Sequence, residues 1–419
     1  MDNFSDKERL LVFDVEEGVP SFSINRERRD FLFSVAFCIN AVFVFGFTIF
    51  VFLKTHVIIG LFSTKNTLFL LLIPSSLAIL VFFVTIRSIL KYPQGFVSSS
   101  YLIAFFFFII SSFLLFIPWK TWNNIFLFGL CSLPVVMWYR QRKDISVSGS
   151  VLLSSTNIMT QYSDSFPFMV MIFFFTILLT LLGSTVTGYI ESTKIGFMWH
   201  IYFAFSYFWI NNTMVYICDY VFSGLCISHV YFAGSSDMPA SPVWYFCNQA
   251  FSSSFGTCAA AGFWAPFLWI ERFAHGIKCF LGSWTELGIV YSSSLGLSIG
   301  EGSAKYFALA QQIHIEKLIS SSAIYTSIFV MQFSISIIAS VISLIITDAF
   351  KITRQFTTIT AIYTFFIVFF SLRVLMNSIA GIADGIYVAF GGAPSKTRSR
   401  MPDTFAVLSH RYNQLVGEK

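Results

Sequence analysis

The chain has 419 residues, of which 56% are apolar and only 11% are charged. Because soluble domains carry about a quarter charged residues, this composition excludes an ordinary soluble protein. The net charge of +5 comes from basic residues at the ends of apolar segments, so it indicates orientation in a membrane and not nucleic-acid binding. We therefore predict an all-α, polytopic transmembrane helical bundle.

Apolar segments long enough to cross a bilayer recur through the first half of the chain. A hydrocarbon core about 30 Å thick requires about 20 helical residues. On this basis we predict transmembrane helices over residues 31–53, 66–86, 99–117, 121–138 and 166–190. Thirty mostly polar residues precede the first helix, so we expect that it is retained and is not part of a cleavable signal peptide.

The second half of the chain is less regular. The apolar, aromatic segment 197–232 is longer than one perpendicular crossing requires, so it forms either one long tilted helix or a broken one. A crossing at 250–270 contains glycines and alanines that indicate close helix contact. Residues 271–317 form either a cytoplasmic amphipathic segment or one that includes a short glycine-rich crossing. Helices over 318–347 and 356–390 bring the expected total to nine or ten, with ten favoured.

Clusters of basic residues predict the orientation and the division of the chain. They are the N-terminal segment, the pair Arg87 and Lys91, the cluster at 140–143 and the cluster at 396–400. All of them fit the cytoplasmic side of the membrane. We therefore predict a cytoplasmic N-terminal segment over 1–30, a transmembrane domain over 31–390 and a cytoplasmic tail over 391–419.

Motifs that would indicate an enzyme are missing from the sequence. It contains no Walker loop, no GxSxG elbow and no HExxH or DxD-type metal motif. The seven cysteines form no CxxC pair and are interpreted as small hydrophobic residues. We therefore predict no enzymatic activity, no catalytic residues, no cofactor and no metal site. The missing nucleotide-binding motif also argues against a primary pump, whereas facilitated and secondary transport stay open.

Asp219 is the strongest candidate for a functional residue. An ionisable side chain in a membrane helix is costly and usually faces a protein interior or a water-filled path. Spacings of four, three and four residues place aromatic and amide side chains near the same helix face. The candidate substrate-binding residues are Tyr207, Trp209, Asn212, Tyr216, Asp219 and Tyr220. A carboxylate among aromatic rings suits a quaternary ammonium cation, which aromatic ring faces attract and which cannot donate an N–H hydrogen bond.

A structural interpretation of the same residues competes with this one. Tyrosine and tryptophan are common anchors at membrane interfaces, and aromatic residues make up 19% of this chain. Arg373 and Asp384 lie eleven residues apart, or about three helical turns, so they share a face without contact. We interpret these two residues as partners for other helices or as markers of the cytoplasmic end.

Several stretches of sequence carry a family resemblance. Residues 199–270 open with WHIYFAFSYFWINN, continue through CISHVYFAGSSDMP and lead into SFGTCAAAGF. Near the C-terminus stand NSIAGIADGIYVAF and MPDTFAVLSHRY. These stretches are similar to the choline transporter-like family of solute carriers, and the last two resemble the closing helix and tail of its fungal-type members. The resemblance covers roughly residues 70–412 and implies an ATP-independent, multi-pass transporter of choline and related amines such as ethanolamine, with cytoplasmic termini.

The chain also departs from the family pattern. Asn212 stands where animal members tend to have an acidic residue, and Asp219 stands where they tend to have glutamine. Either the acidic group has moved along the helix or the cation preference is gone. The expected partners are a choline-like cation and membrane lipids. We expect the plasma membrane, with an internal membrane as the alternative. A structural or lipid-organising protein and a receptor-like protein stay open as other functions, and the sequence predicts no oligomeric state.

Overall fold

The computed structural model describes residues 27–55, 65–119, 129, 131–193, 196–273, 284–350 and 354–417, and in these residues the only regular secondary structure is helical. The helices of the first half are α1 (Phe31–Thr55), α2 (Lys65–Lys91), α3 (Pro93–Trp119), α4 (Ser132–Gln141), α5 (Ile145–Gln161), α6 (Ser165–Thr193) and α7 (Phe197–Phe232). Those of the second half are α8 (Pro242–Phe251), α9 (Phe255–Phe273), α10 (Gly288–Leu295), α11 (Ile299–Ile313), α12 (Glu316–Ser321), α13 (Ala323–Ala349), α14 (Arg354–Gly392), α15 (Pro394–Arg400) and α16 (Pro402–Gly417).

Seven stretches of the described residues are long and apolar enough to cross a membrane. They are Phe31–Val51, Leu72–Lys91, Pro93–Leu114, Ser165–Gly183, Phe197–Phe232, Glu316–Ala349 and Thr360–Gly392. This finding confirms the prediction of an all-α, multi-pass membrane bundle. The predicted helix over 121–138 lies partly outside the described residues. Within the described residues, α4 begins at Ser132.

The predicted crossing at 250–270 coincides with α9 from Phe255 onward, whereas its first two residues belong to a separate helix, α8. Helix α8 ends at Phe251 and α9 begins at Phe255, with the backbone of Ser252 outside the helical region between them. Helix α9 itself has 19 residues, and Phe255–Leu268 is an apolar stretch within it. Hydropathy is continuous across the break because the intervening residues are small serines, and for that reason the sequence pattern did not show it.

Helix α7 is the centre of the bundle. It is one continuous helix of 36 residues and not a broken one, which were the two possibilities that the sequence left open. Its length is about 54 Å. Every residue from Trp209 to Val230 is buried. The helix packs against α6, α9, α10 and α14, so all its faces in this stretch contact protein, and the side chains there are not available to lipid.

The sequence left open an amphipathic segment or a short crossing over residues 271–317, of which 274–283 lie outside the described part. Helix α10 has eight residues and spans about 12 Å, which is too short for a crossing. It packs inside the bundle against α7 and ends at Gly296 in the left-handed conformation. Helix α11 then begins with a capping box between Ser298 and Glu301. The pKa of Glu301 lies below its ordinary value because its carboxylate accepts the backbone N–H of Ser298.

The predicted cytoplasmic tail folds back onto the bundle as helices α15 and α16. Arg411 donates to Asp144 over 2.6 Å, and both side chains are largely buried. The hydroxyl of Tyr412 donates to the backbone carbonyl of Ile313 over 2.5 Å. The tail therefore connects the start of α5 with the end of α11.

Candidate functional site

Four ionisable side chains are almost completely buried in the second half of the bundle. Arg373, Asp219 and Asp384 are each at most 2% exposed, and Glu286 is 4% exposed. Charged groups at this depth are costly unless they are paired and hydrogen-bonded. Their partners therefore decide what the bundle interior is built to hold.

Arg373 on α14 occupies the position that the sequence analysis assigned to a bound cation. Its guanidinium donates a hydrogen bond to the Oδ1 atom of Asn212 on α7. The guanidinium carbon lies 5.9 Å from the centre of the Tyr216 ring, within the range of a cation–π contact. Two of the predicted substrate-binding residues thus surround a cation of the protein itself.

Two carboxylates attract this guanidinium. Arg373 interacts electrostatically with both Asp219 and Glu286. The hydroxyl of Tyr216 donates to Glu286 Oε1 over 2.5 Å. The same tyrosine therefore contacts Glu286 through its hydroxyl and faces Arg373 with its ring. The site therefore brings one guanidinium, one aromatic ring and two carboxylates together in the bundle interior.

Asp219 is held by the close approach of α14 to α7. A Cβ atom added at Gly381 would lie 2.6 Å from Asp219 Oδ1 and 2.9 Å from its backbone oxygen. Only glycine can occupy this position without displacing the aspartate, because contacts this short are prohibitive for a side chain. The backbone of α14 thus forms one wall beside the carboxylate.

The structure separates the six predicted residues into two groups. Asn212, Tyr216 and Asp219 lie around Arg373. The other three bond to residues elsewhere in the bundle: Tyr207 to Thr48 over 2.9 Å, Trp209 to the carbonyl of Ala259 over 2.8 Å and Tyr220 to Ser254 over 2.9 Å. All six side chains are buried. Tyr207, Trp209 and Tyr220 therefore have packing roles that explain their polar atoms.

Arg373 and Asp384 bond to partners on other helices, as their spacing predicted. Arg373 contacts Asn212 on α7, whereas Asp384 accepts a hydrogen bond from the hydroxyl of Tyr325 on α13. Next to this pair, Tyr387 donates to Ser322 over 2.9 Å. Asp384 thus belongs to a second polar cluster, about three turns along α14 from Arg373.

Glu286 is the site residue that sequence reasoning missed. It was only one of several charges in a region with two possible interpretations, and no periodicity connected it with α7. The available signal was its position two residues before the segment that forms α10. A carboxylate next to the N-terminus of a helix is stabilised by the helix dipole, which is consistent with its burial here.

No metal-ligating cluster of three or more His, Cys, Asp or Glu side chains occurs in the described part of the chain. No protein-family model matches the chain, and no curated protein matches it either.

Proposed function

We propose that this membrane protein is a transporter of a small organic cation, choline or a related amine, and that it belongs to the choline transporter-like family. The observation that carries the proposal is Arg373 beside Asn212 and Tyr216, next to two buried carboxylates. In this proposal the guanidinium acts as an internal substitute for the substrate cation. We place the protein in the plasma membrane, with an internal membrane as the alternative.

The proposed mechanism starts from the contacts that Arg373 makes with Asn212 and Tyr216. An incoming quaternary ammonium ion takes the place of the guanidinium at the Tyr216 ring, where cation–π attraction contributes about 0.5–2 kcal/mol. Asp219 supplies the negative charge that compensates for lost hydration. Displacement of Arg373 breaks its bond to Asn212 and so loosens α14 from α7. Binding is thereby coupled to a movement between two central helices, as transport by facilitated or secondary means requires.

The short helix α10 supports the same proposal. Transporters commonly form their sites with discontinuous helices whose ends lie within the bundle. Here α10 is eight residues long and packs against α7, and Glu286 lies two residues before its first residue. Movement of α10 would change the distance between Glu286 and Tyr216, which are now in hydrogen-bond contact.

Uptake of labelled choline into proteoliposomes tests the proposal. Asp219→Asn should lower uptake about tenfold or more, because a bond to a charged group contributes about 1.5–3 kcal/mol. The matched control is Asp384→Asn, which neutralises an equally buried carboxylate in the neighbouring cluster and should retain more uptake. Equal uptake by Asp219→Asn and the unmodified protein would remove Asp219 from the site.

Arg373→Gln tests the internal cation itself. Removing one member of a buried charged cluster destabilises the fold, but it also removes the group with which choline competes. Choline should therefore raise the melting temperature of Arg373→Gln more than that of the unmodified protein, since ligand binding stabilises the folded state. An equal or smaller increase would show that Arg373 does not occupy the substrate position.

A structural membrane protein is the second candidate. The observation that favours it is the packing of Tyr207, Trp209 and Tyr220, whose polar atoms all bond within the bundle. This candidate predicts no uptake of choline or ethanolamine above that of empty liposomes, and an unchanged melting temperature with either amine.

A further inference from the structure

An apolar groove opens on the side of the bundle, and none of the four buried charged residues lines it. It has a volume of about 600 Å³ and is formed by α2, α3 and α13. Phe96, Met331 and Ala339 are buried and form its floor, whereas Leu80 and Val84 are exposed on its rim. The groove therefore has a built interior and an open side along membrane-spanning helices.

The packing of the two adjacent helices explains why the groove exists. Helix α2 packs mainly against α14, whereas α3 packs mainly against α13. The two helices are consecutive and meet at Tyr92, from which they diverge toward different partners. The wedge between them is lined by Tyr92 near the meeting point and by Leu77 farther along α2.

The length of the groove matches one leaflet of a bilayer. Its lining on α2 runs from Leu77 to Ser88, a distance of about 16 Å along the helix axis. Half of a hydrocarbon core is about 15 Å thick. An acyl chain from one leaflet would therefore extend along the whole groove.

Basic residues lie at the end of the groove where a lipid headgroup would be placed. Leu80, Val84, Arg87 and Lys91 follow spacings of four, three and four residues, so they form one stripe on α2. The Nζ atom of Lys91 lies 5.1 Å from the centre of the Tyr92 ring. The apolar rim thus continues directly into two exposed cations.

We propose that this groove binds an anionic phospholipid of the cytoplasmic leaflet. One acyl chain lies on Phe96, Met331 and Ala339, and the phosphate-containing headgroup is bound by Arg87 and Lys91. Positive residues at helix ends face the cytoplasm, and the cytoplasmic leaflet is the one that carries anionic lipids. The groove is separate from the Arg373 site, and the proposal does not depend on transport.

Binding of defined lipids to delipidated protein in detergent tests this site by native mass spectrometry. Phosphatidylglycerol should bind more tightly than phosphatidylcholine with identical acyl chains. The double variant Arg87→Gln/Lys91→Gln should weaken binding of phosphatidylglycerol about 25-fold, or about fivefold for each basic residue. The control Arg140→Gln/Arg142→Gln removes two basic residues away from the groove and should leave that affinity unchanged.

A second pair of variants tests the acyl-chain position. Val84→Trp places a bulky ring in the groove and should weaken the binding of both lipids. Its control is Leu102→Trp on α3, which adds the same ring at an exposed position outside the groove lining. Equal affinity for the two lipids, or equal losses in the two basic double variants, would overturn the proposal. So would a Val84→Trp protein that binds lipid normally but loses self-association, because a second copy of the chain would then occupy the groove.

Discussion

Replacing Gly262 by alanine should destabilise the contact between α9 and the central helix α7. The added Cβ would lie 2.5 Å from Thr213 Oγ1, 2.7 Å from its backbone nitrogen and 2.9 Å from its Cα. Carbon atoms prefer separations of about 3.5–4.0 Å, so the two helices must separate by about 1 Å. This movement would also stretch the 2.8 Å bond from Trp209 to Ala259. The expected cost is about 1–3 kcal/mol, as for other overpacked interiors.

The assay is the melting temperature of detergent-solubilised protein, measured as the fraction that remains monodisperse after heating. Gly46→Ala is the matched control, because no atom lies within 4 Å of the added Cβ at that position of α1. There alanine should be neutral or stabilising by up to about 1 kcal/mol through its helix propensity. If Gly262→Ala melts at the same temperature as the unmodified protein, or if Gly46→Ala loses as much, the reasoning from close helix approach is wrong.

Three further predictions concern the ends of helices outside the central pair. Arg411→Gln should release the tail, because it leaves the buried carboxylate of Asp144 without its 2.6 Å partner. Breaking such a pair costs about 3–5 kcal/mol. The release would be measured as faster proteolysis of α16, and an unchanged rate of proteolysis would contradict the prediction. Ser298→Ala should cost about 1 kcal/mol by removing an N-cap, seen as lower hydrogen-exchange protection in the first turn of α11. Because the pKa of Glu301 is lowered in the folded state, its contribution is present above its ordinary pKa and is lost as the pH falls through the lowered value. Protection in unmodified protein that does not fall over this range would refute the pH dependence.

The boundaries of the longest helices could be predicted well from the sequence. Segment 197–232 was predicted with the bounds that α7 has, and the prediction of 166–190 lies within α6. Long apolar runs determine helices of this kind because the bilayer requires every backbone polar group to bond internally. Close helix contact near Gly262 was also predicted correctly, since small residues are the signal for it.

Short and polar elements were predicted poorly. The break between α8 and α9 contains no proline, and the serines in it do not lower hydropathy enough to mark a boundary. Helix α10 is shorter than any window that detects a crossing. Both elements are stabilised by packing against α7, and hydropathy contains no information about that packing.

The membrane class, the helical fold and the helix that carries a buried carboxylate could all be inferred from the sequence, because the length and hydropathy of a segment are local properties. What surrounds that carboxylate depends on the packing of distant helices. Asn212 and Arg373 are 161 residues apart in the chain, and Tyr216 and Glu286 are 70 residues apart, yet each pair shares a hydrogen bond. Such contacts depend on how helices pack, and for this reason an aromatic face that suited a bound cation proved to hold an arginine of the protein itself.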